Sequence, residues 1–244
     1  MRDVVGAEAL KLRTLVLPRL ALLLAALGAG LIGFAAARIA TDAGDTVTPA
    51  DLATAPAKTL WFLAVVVAVL ATAGEFQHRT MRTTLLHDPD RGRVLTAKAM
   101  VTAAYGALIT LVGTASAVAV GAVSLRAEGL PVGPFGADMW AVVAGSVAIG
   151  ALWALLAAGL GTLARNSTVA VATVLLWWLV LEGLLPAVTG NPEIGRWLPG
   201  GAADALLLGR ADLLEPWVGG LLFAGYAAVV TLAGALLFAR RDPA

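Results

Sequence analysis

Long apolar runs alternate with short polar segments along this chain of 244 residues. A helix needs about 20 apolar residues to cross the hydrocarbon core of a bilayer. Six runs approach or exceed this length, at Leu20–Ala37, Ala55–Gly74, Ala99–Ser124, Ala137–Ala164, Thr168–Val188 and Trp217–Ala239. The pattern therefore predicts an all-α, polytopic membrane protein with six transmembrane helices, and it leaves little of the chain for a soluble domain.

The first 17 residues have the pattern of an amphipathic helix. Four apolar residues fall on one helical face, namely Val5, Ala9, Leu12 and Val16. Four charged residues lie elsewhere, namely Arg2, Asp3, Glu8 and Lys11. We expect residues 1–17 to form an interfacial helix, with an unstructured tail as the alternative, and Pro18 to break the chain where it enters the bilayer. The apolar run that follows is longer than that of a signal peptide, so we expect it to be retained.

Composition agrees with a membrane protein and excludes several kinds of site. Hydrophobic residues make up 59% of the chain and charged residues 14%, and the mean hydropathy is +0.87. The sequence contains no cysteine, which excludes disulfides, thiolate metal sites and thiol nucleophiles. His78 and His87 do not have a metal-binding spacing, and no serine has a histidine at membrane depth on its own span. We therefore expect no catalytic, metal or cofactor site.

Lysine and arginine are distributed unevenly between the two sides that six spans define. The side of the termini carries 12 of them and the opposite side carries 5. Because cytoplasmic loops are enriched in Lys and Arg, both termini are predicted to be cytoplasmic, in a multi-pass protein of the cell membrane. The net charge of +1 does not indicate a nucleic-acid partner, whereas membrane lipids are expected neighbours.

Two longer segments lie on the opposite side. Residues 38–58 contain three aspartates and two prolines without periodicity, which predicts a solvated connection. Residues 189–216 have turn signals on both sides of the apolar stretch Ala202–Leu208. This second pattern predicts a short helix that lies on, or dips into, the outer leaflet.

Glu182 is the acidic residue that the apolar pattern places inside a span. A carboxylate inside the membrane has a high free-energy cost of insertion, and it is therefore a functional candidate by default. However, Glu182 precedes Pro186 by only four positions, so it can lie near the outer interface. There it could pair with Arg196 or with helix N-termini of the following loop. Substrate or proton handling is the alternative role.

The longest polar stretch is residues 75–98, which we expect to be a cytoplasmic loop between the second and third spans. Four residues have the spacing of one helical face, namely Glu75, His78, Arg79 and Arg82. Leu85 and Leu86 are expected to continue this helix, and residues 88–92 to form a tight turn. Arg93 and Lys98 flank the return into the membrane. The residues alone fit two roles equally, a docking surface for a cytoplasmic protein and an anchor for lipid headgroups.

The sequence argues against two energy sources for transport, ATP bound by this chain itself and a proton gradient. The pair Gly-Lys does not occur, so the chain lacks the phosphate-binding loop GxxxxGK[ST] and cannot bind ATP in that manner. It also has very few of the intramembrane ionisable groups that a proton-driven carrier needs. If transport uses ATP, the nucleotide must bind to a separate subunit that acts on a cytoplasmic surface.

The chain resembles the permeases of ABC-2 type transporters. The resemblance rests mainly on the polar loop, at Glu75, Thr80, Arg82, Thr83, Leu85, Pro89, Arg91, Arg93 and Lys98. It extends to Glu8 and Lys11 near the start, to LARNS at Leu163–Ser167 and to RWLPGGAADAL at Arg196–Leu206. One departure is Arg79, where the family pattern leads us to expect glycine.

The resemblance implies a single permease domain over residues 1–244, working as a homodimer or heterodimer with two ATPase subunits that bind the ATP. It also implies that the loop at 75–98 supplies the coupling contact, through Glu75, Arg79, Arg82, Asp90, Arg91 and Arg93. The expected function is ATP-driven export of a drug, lipid or peptide. Two alternatives stay open: a membrane enzyme acting on lipids or isoprenoids with Glu182 in its site, and a structural or immunity-type membrane protein.

Overall fold

The structure is a computed structural model that describes residues 1–43, 46–78, 80–210 and 212–240, without the side chain of Arg2. The regular structure of these residues is helical throughout. The helices are α1 (Arg2–Thr14), α2 (Val16–Ala43), α3 (Pro49–Thr54), α4 (Ala57–Gln77), α5 (Thr80–His87), α6 (Arg91–Ala127), α7 (Ala137–Ala164), α8 (Ser167–Leu176), α9 (Glu182–Thr189), α10 (Pro199–Leu208) and α11 (Pro216–Arg240). A π-helical turn at Trp177–Leu181 joins α8 to α9, and a 3₁₀ turn at Pro192–Trp197 precedes α10. The all-α fold class is confirmed.

Within the described residues, six helical segments are long and apolar enough to cross a membrane. They are Val16–Ala43, Pro49–Gln77, Arg91–Ala127, Ala137–Ala164, Ser167–Thr189 and Pro216–Arg240, and we call them the first to the sixth span. Each contains one of the six predicted apolar runs, so the predicted number and order of spans are confirmed. Length and composition thus make this a multi-pass membrane protein.

The second, third and fourth spans form the centre of the bundle. α4, α6 and α7 pack on one another, α2 lies against α6, and α11 lies against α7. Glycine permits the closest approach, since a Cβ atom on Gly106 would lie 2.5 Å from the carbonyl oxygen of Gly150. Small residues at helix contacts are typical of membrane bundles, in which close packing replaces the hydrophobic effect as the main attraction between helices.

Trp153 of α7 connects the fifth and sixth spans to this centre. Its ring lies 5.4 Å from that of Trp178 and 4.9 Å from that of Phe223, measured between centroids. The fifth span is otherwise exposed, since only 11% of its most apolar window is buried, against 50% for the second, third and fourth spans. The fifth span therefore presents most of its apolar surface to whatever surrounds the bundle.

The N-terminal helix α1 is present, but two details of its prediction are wrong. The break between α1 and α2 lies at Leu15, which is extended (ψ 144°), and not at Pro18. Pro18 occupies the first turn of α2, where its missing N–H is not needed. In addition, Glu8 lies on the buried face of α1, at 4% exposure. The reason is that α1 packs against charged residues of other helices, so its inner face is not purely apolar.

The segment at 38–58 is more ordered than predicted. α2 continues to Ala43, and α3 is a short helix whose N-terminus carries a capping box between Thr48 and Asp51. Leu52 of α3 is fully buried. By contrast, the predicted short helix around Ala202–Leu208 is confirmed as α10. We call the end of the bundle with α3 and α10 the loop end, and the end with α1 and α5 the terminal end.

Candidate functional site

Four charged side chains from three helices meet at the terminal end, and we call them the charge cluster. Glu8 and Lys11 come from α1, Glu75 from α4 and Lys98 from α6. Lys98 Nζ lies 2.7 Å from Glu8 Oε2 and 2.9 Å from Glu75 Oε1. Lys11 Nζ lies 2.6 Å from Glu8 Oε1 and 3.1 Å from Glu75 Oε1. Each carboxylate therefore touches both ammonium groups, and the four formal charges cancel.

The charge cluster is mostly shielded from solvent. The side-chain exposures are 3% for Lys98, 6% for Glu8, 15% for Glu75 and 39% for Lys11. A charge buried in this way is tolerated only with an opposite charge and hydrogen bonds. Removing one partner of a buried pair typically costs about 3–5 kcal/mol, because the other charge is left uncompensated. The charge cluster thus ties α1 to the second and third spans.

The pKa values of the two α1 residues show that the favourable pairing exceeds the effect of burial. Burial by itself would raise the pKa of the Glu8 carboxyl, but the charge of Lys98 and the hydrogen bonds from Lys11 and Lys98 hold this pKa below its usual value. Burial would likewise lower the pKa of Lys11, but Glu8 and Glu75 raise it above its usual value. Both groups are therefore charged at neutral pH.

Of the predicted helical face, Glu75 and Arg82 do not lie on one surface. α4 ends at Gln77 and His78 leaves the helical conformation (φ −93°, ψ 7°), so α5 is a separate helix that begins at Thr80. Glu75 turns inward to the charge cluster. Arg82 is exposed on α5, and Arg79 lies outside the described residues. The sequence reasoning treated α4 and α5 as one continuous helix, which is why it placed Glu75 outside.

α5 contacts the bundle through both polar and apolar groups. Lys11 Nζ donates a hydrogen bond to Thr84 Oγ1 over 3.2 Å, which connects α5 to the charge cluster. Met81 is buried and packs with Val94 of α6 and Phe238 of α11. The opposite side of α5 is open, and Leu86 there is 84% exposed.

The other three predicted coupling residues shape the return into the third span. Asp90 Oδ1 accepts a hydrogen bond from the backbone N–H of Arg93 over 3.0 Å and caps α6. The Arg93 guanidinium pairs with Asp88 at 3.3 Å and with Asp90 at 3.4 Å. Arg91 donates to the carbonyl oxygen of Ala239 over 3.3 Å at the end of α11. The turn therefore occupies residues 88–90, and Arg91 already belongs to the helix.

A cavity of about 280 Å³ lies beside the charge cluster, between α4, α6, α7 and α11. Lys98 and Arg91 line it together with the hydroxyl-bearing Thr72 and Thr162, and most of the remaining lining is apolar. Lys98 therefore belongs both to the charge cluster and to the lining of this cavity.

Glu182 occupies a different kind of site, at the loop end. Its Oε1 atom accepts a hydrogen bond from the backbone N–H of Gly200 over 2.6 Å, in the first turn of α10, and another from Trp177 Nε1 over 3.1 Å. Helix N-termini attract carboxylates because their first N–H groups are unpaired. Of the two partners predicted, the helix N-terminus is confirmed. Arg196 is not the partner, because it pairs with Glu193.

Gly200 is required by this contact. A Cβ atom at that position would collide with the Glu182 carboxylate. Next to it, Lys58 of α4 and Asp204 of α10 form an ion pair at 3.1 Å. The sequence reasoning missed Trp177, Gly200 and this pair; a glycine after a proline at a predicted helix start was the available signal for the first-turn contact.

No model of a known protein family and no curated protein matches this chain.

Proposed function

We propose that this chain is the membrane-spanning permease subunit of an ATP-driven exporter of the ABC-2 type, paired with a second permease and with separate ATPase subunits. The observation that carries the proposal is the arrangement at the terminal end. There, the short helix α5 is hydrogen-bonded to Lys11 of the charge cluster. This cluster joins α1 to the second and third spans. This arrangement can receive a force at α5 and pass it into the membrane.

The separate ATPase follows from what the chain lacks and what it offers. The sequence has no phosphate-binding loop, so the chain needs a partner to use ATP. α5 offers such a partner Leu86, which is 84% exposed on its open side. Behind it, Thr84 and Met81 hold α5 against the bundle. Movement of α5 would therefore pull on Lys11, and through the charge cluster on the second and third spans.

The orientation is part of the proposal. The excess of Lys and Arg on this side supports a cytoplasmic terminal end, where an ATPase would meet α5. A single cysteine at Gly190 should then react with an impermeant thiol reagent in intact cells, whereas one at Asp90 should not. Labelling of Asp90 from outside would refute this orientation.

The role of α5 can be tested by co-purification. If an ABC ATPase is encoded next to this chain and is co-expressed with it, Leu86→Ala should reduce the amount of that ATPase that co-purifies with the permease at equal membrane levels. Transport should fall with it. A leucine that becomes buried in a protein contact can contribute about 1 kcal/mol or more to the binding free energy. Leu31→Ala is the matched control, since Leu31 is also exposed, at 67%, but lies in the first span. Equal loss in both variants, or in neither, would contradict a docking role for α5.

The alternative of a lipid-modifying enzyme built on Glu182 has no observation in its favour. Both hydrogen bonds that Glu182 accepts come from the protein itself. They fix α10 to the fifth span, which is a structural role. For the substrate of export, the apolar lining of the 280 Å³ cavity agrees with the drug, lipid or peptide class expected from the sequence.

A further inference from the structure

A second cavity lies at the loop end, as a groove on the surface between α6 and α7. It has a volume of about 430 Å³. Its lining is apolar apart from Arg126 and includes Leu111, Ala119 and Val123 of α6, Trp140 of α7 and Phe135 of the segment before α7. Val123 and Trp140 are 64% and 61% exposed. The groove is therefore open to the surroundings of the bundle along its length.

The length of α6 places Arg126 at the depth of lipid headgroups. Lys98 and Arg126 lie 28 positions apart on this one helix, which corresponds to about 42 Å at 1.5 Å per residue. A bilayer measures about 40–45 Å with its headgroup regions. Because Lys98 lies at the terminal end, Arg126 reaches the headgroups of the other leaflet, and Leu111 lies about 22 Å deeper along the axis. Trp140 is the residue type enriched at this interface.

Arg126 also differs from the other cations at the loop end. Four of these have a carboxylate partner within the described residues: Arg38 with Glu128, Lys58 with Asp204, Arg196 with Glu193 and Arg210 with Asp212. Arg126 is exposed and has no carboxylate within 4.0 Å among the described residues. A positive charge at the mouth of an apolar groove thus lacks its negative complement.

We propose that the groove binds one anionic phospholipid, with an acyl chain along α6 and the phosphate paired with Arg126. The apolar lining matches the chain, and the unpaired guanidinium matches the phosphate, which it can contact through two N–H groups. Their positions along α6 place the apolar lining at the depth of the acyl chains of that leaflet and Arg126 at the depth of its headgroups. This binding site does not depend on the proposed export function.

Native mass spectrometry of the purified full-length chain tests the charge. We expect one palmitoyl-oleoyl phosphatidylglycerol to stay bound at lower added concentration than phosphatidylcholine with the same acyl chains. Arg126→Gln should weaken the binding of phosphatidylglycerol about tenfold, the size expected for one charge-assisted contact, and Arg126→Lys, which keeps the charge but not the paired N–H groups, should weaken it less. Arg210→Gln is the control, because it removes a cation from the same end outside the groove. Equal retention by Arg126→Gln and wild type would overturn the proposal.

A second pair of variants tests the groove itself. Ala119→Phe fills the groove and should abolish retention of the single phosphatidylglycerol. Ala104→Phe, at another exposed position of α6, should leave it unchanged. Retention by Ala119→Phe would overturn the proposal, as would the absence of any retained lipid in the wild type. The proposal would also be wrong if Ala119→Phe converted a dimer into a monomer while the amount of retained lipid stayed the same. A second copy of the chain, and not a lipid, would then occupy the groove.

Discussion

Each end of the bundle holds a glutamate in a polar contact, buried for Glu8 and half-buried for Glu182, but the two ends stabilise the carboxylate in different ways. At the terminal end, Glu8 is held by two lysines from α1 and α6. At the loop end, Glu182 accepts hydrogen bonds from the N-terminus of α10 and from an indole, without a cation in direct contact within the described residues. The first arrangement joins elements distant in sequence, and the second joins neighbours along the chain.

This difference has a mechanical consequence. Ion pairs between three helices can be rearranged by moving any one of them, so the charge cluster is suited to pass on a displacement. A carboxylate at a helix N-terminus fixes two neighbouring elements locally, in this case α9 and α10. We therefore expect the terminal end to be the part of the molecule where movement is coupled, and the loop end to be held together.

The largest effect should come from removing Lys98. Lys98→Met leaves two buried carboxylates with Lys11 alone and should destabilise the protein by about 3–5 kcal/mol. The double variant Glu8→Leu with Lys98→Met keeps the pair of Lys11 and Glu75, so it should lose clearly less than the sum of the two single variants. Thermal unfolding in detergent, followed by tryptophan fluorescence, measures both.

The control for this experiment is Lys58→Met at the loop end. The pair of Lys58 with Asp204 is largely exposed on the lysine side, at 63%, so its loss should cost less than about 1 kcal/mol. If Lys98→Met is no more damaging than Lys58→Met, the charge cluster does not hold α1 to the bundle.

A smaller effect is expected at the other glutamate. Glu182→Leu removes the acceptor for the N–H groups of Gly200 and Trp177 and should cost about 1–3 kcal/mol. Glu182→Gln keeps an oxygen acceptor and should cost less, with transport retained. A Glu182→Gln variant that is as stable as wild type and yet inactive would show that the ionised carboxyl is needed, and our structural interpretation would be wrong.

The charge cluster should also have a defined dependence on pH. Glu8 has a lowered pKa, so its contribution to stability is full above about pH 4.3, the usual Glu value, and is lost as the pH falls through the folded-state pKa. Lys11 has a raised pKa, so its contribution is full below about pH 10.4 and is lost as the pH rises through the folded-state pKa.

The difference in melting temperature between wild type and Glu8→Gln should therefore stay constant between about pH 6 and pH 9 and shrink below about pH 4. Glu128→Gln, in an exposed pair, is the control and should show little difference at any pH. A difference that grew on acidification would mean that the lysines do not stabilise ionised Glu8.

The smallest effect should follow from loosening α5. Thr84→Val removes the acceptor of the hydrogen bond from Lys11 and should cost about 0.5–1.5 kcal/mol. Hydrogen exchange of the amides at 80–87 should become faster, because this bond is one of the contacts that attach α5 to the bundle. Thr83→Val changes an exposed neighbour and should leave exchange as in wild type. Identical exchange in both variants would show that Lys11 does not restrain α5.

The sequence by itself determined the number, order and type of the spans. A run of about 20 apolar residues has the length of one transmembrane helix. Its assignment as a span therefore depends on the composition of the run alone. The same holds for α10, since turn signals and a proline delimit it. For Glu182 the sequence left two partners open, Arg196 and a helix N-terminus of the following loop, and the structure decided for the N-terminus of α10.

Only the tertiary structure decided where the charges of the terminal end go. Glu8 and Lys98 are 90 positions apart. The local pattern around Glu8 indicates only an amphipathic helix, and the pattern around Lys98 indicates only the start of an apolar run. Which face of α1 is buried depends on the side chains that α4 and α6 bring to it. The helix break at His78 acts in the same way, because it turns Glu75 inward and leaves Arg82 outside. Electrostatic pairing acts through space, so its partners are fixed by helix packing and not by spacing along the chain.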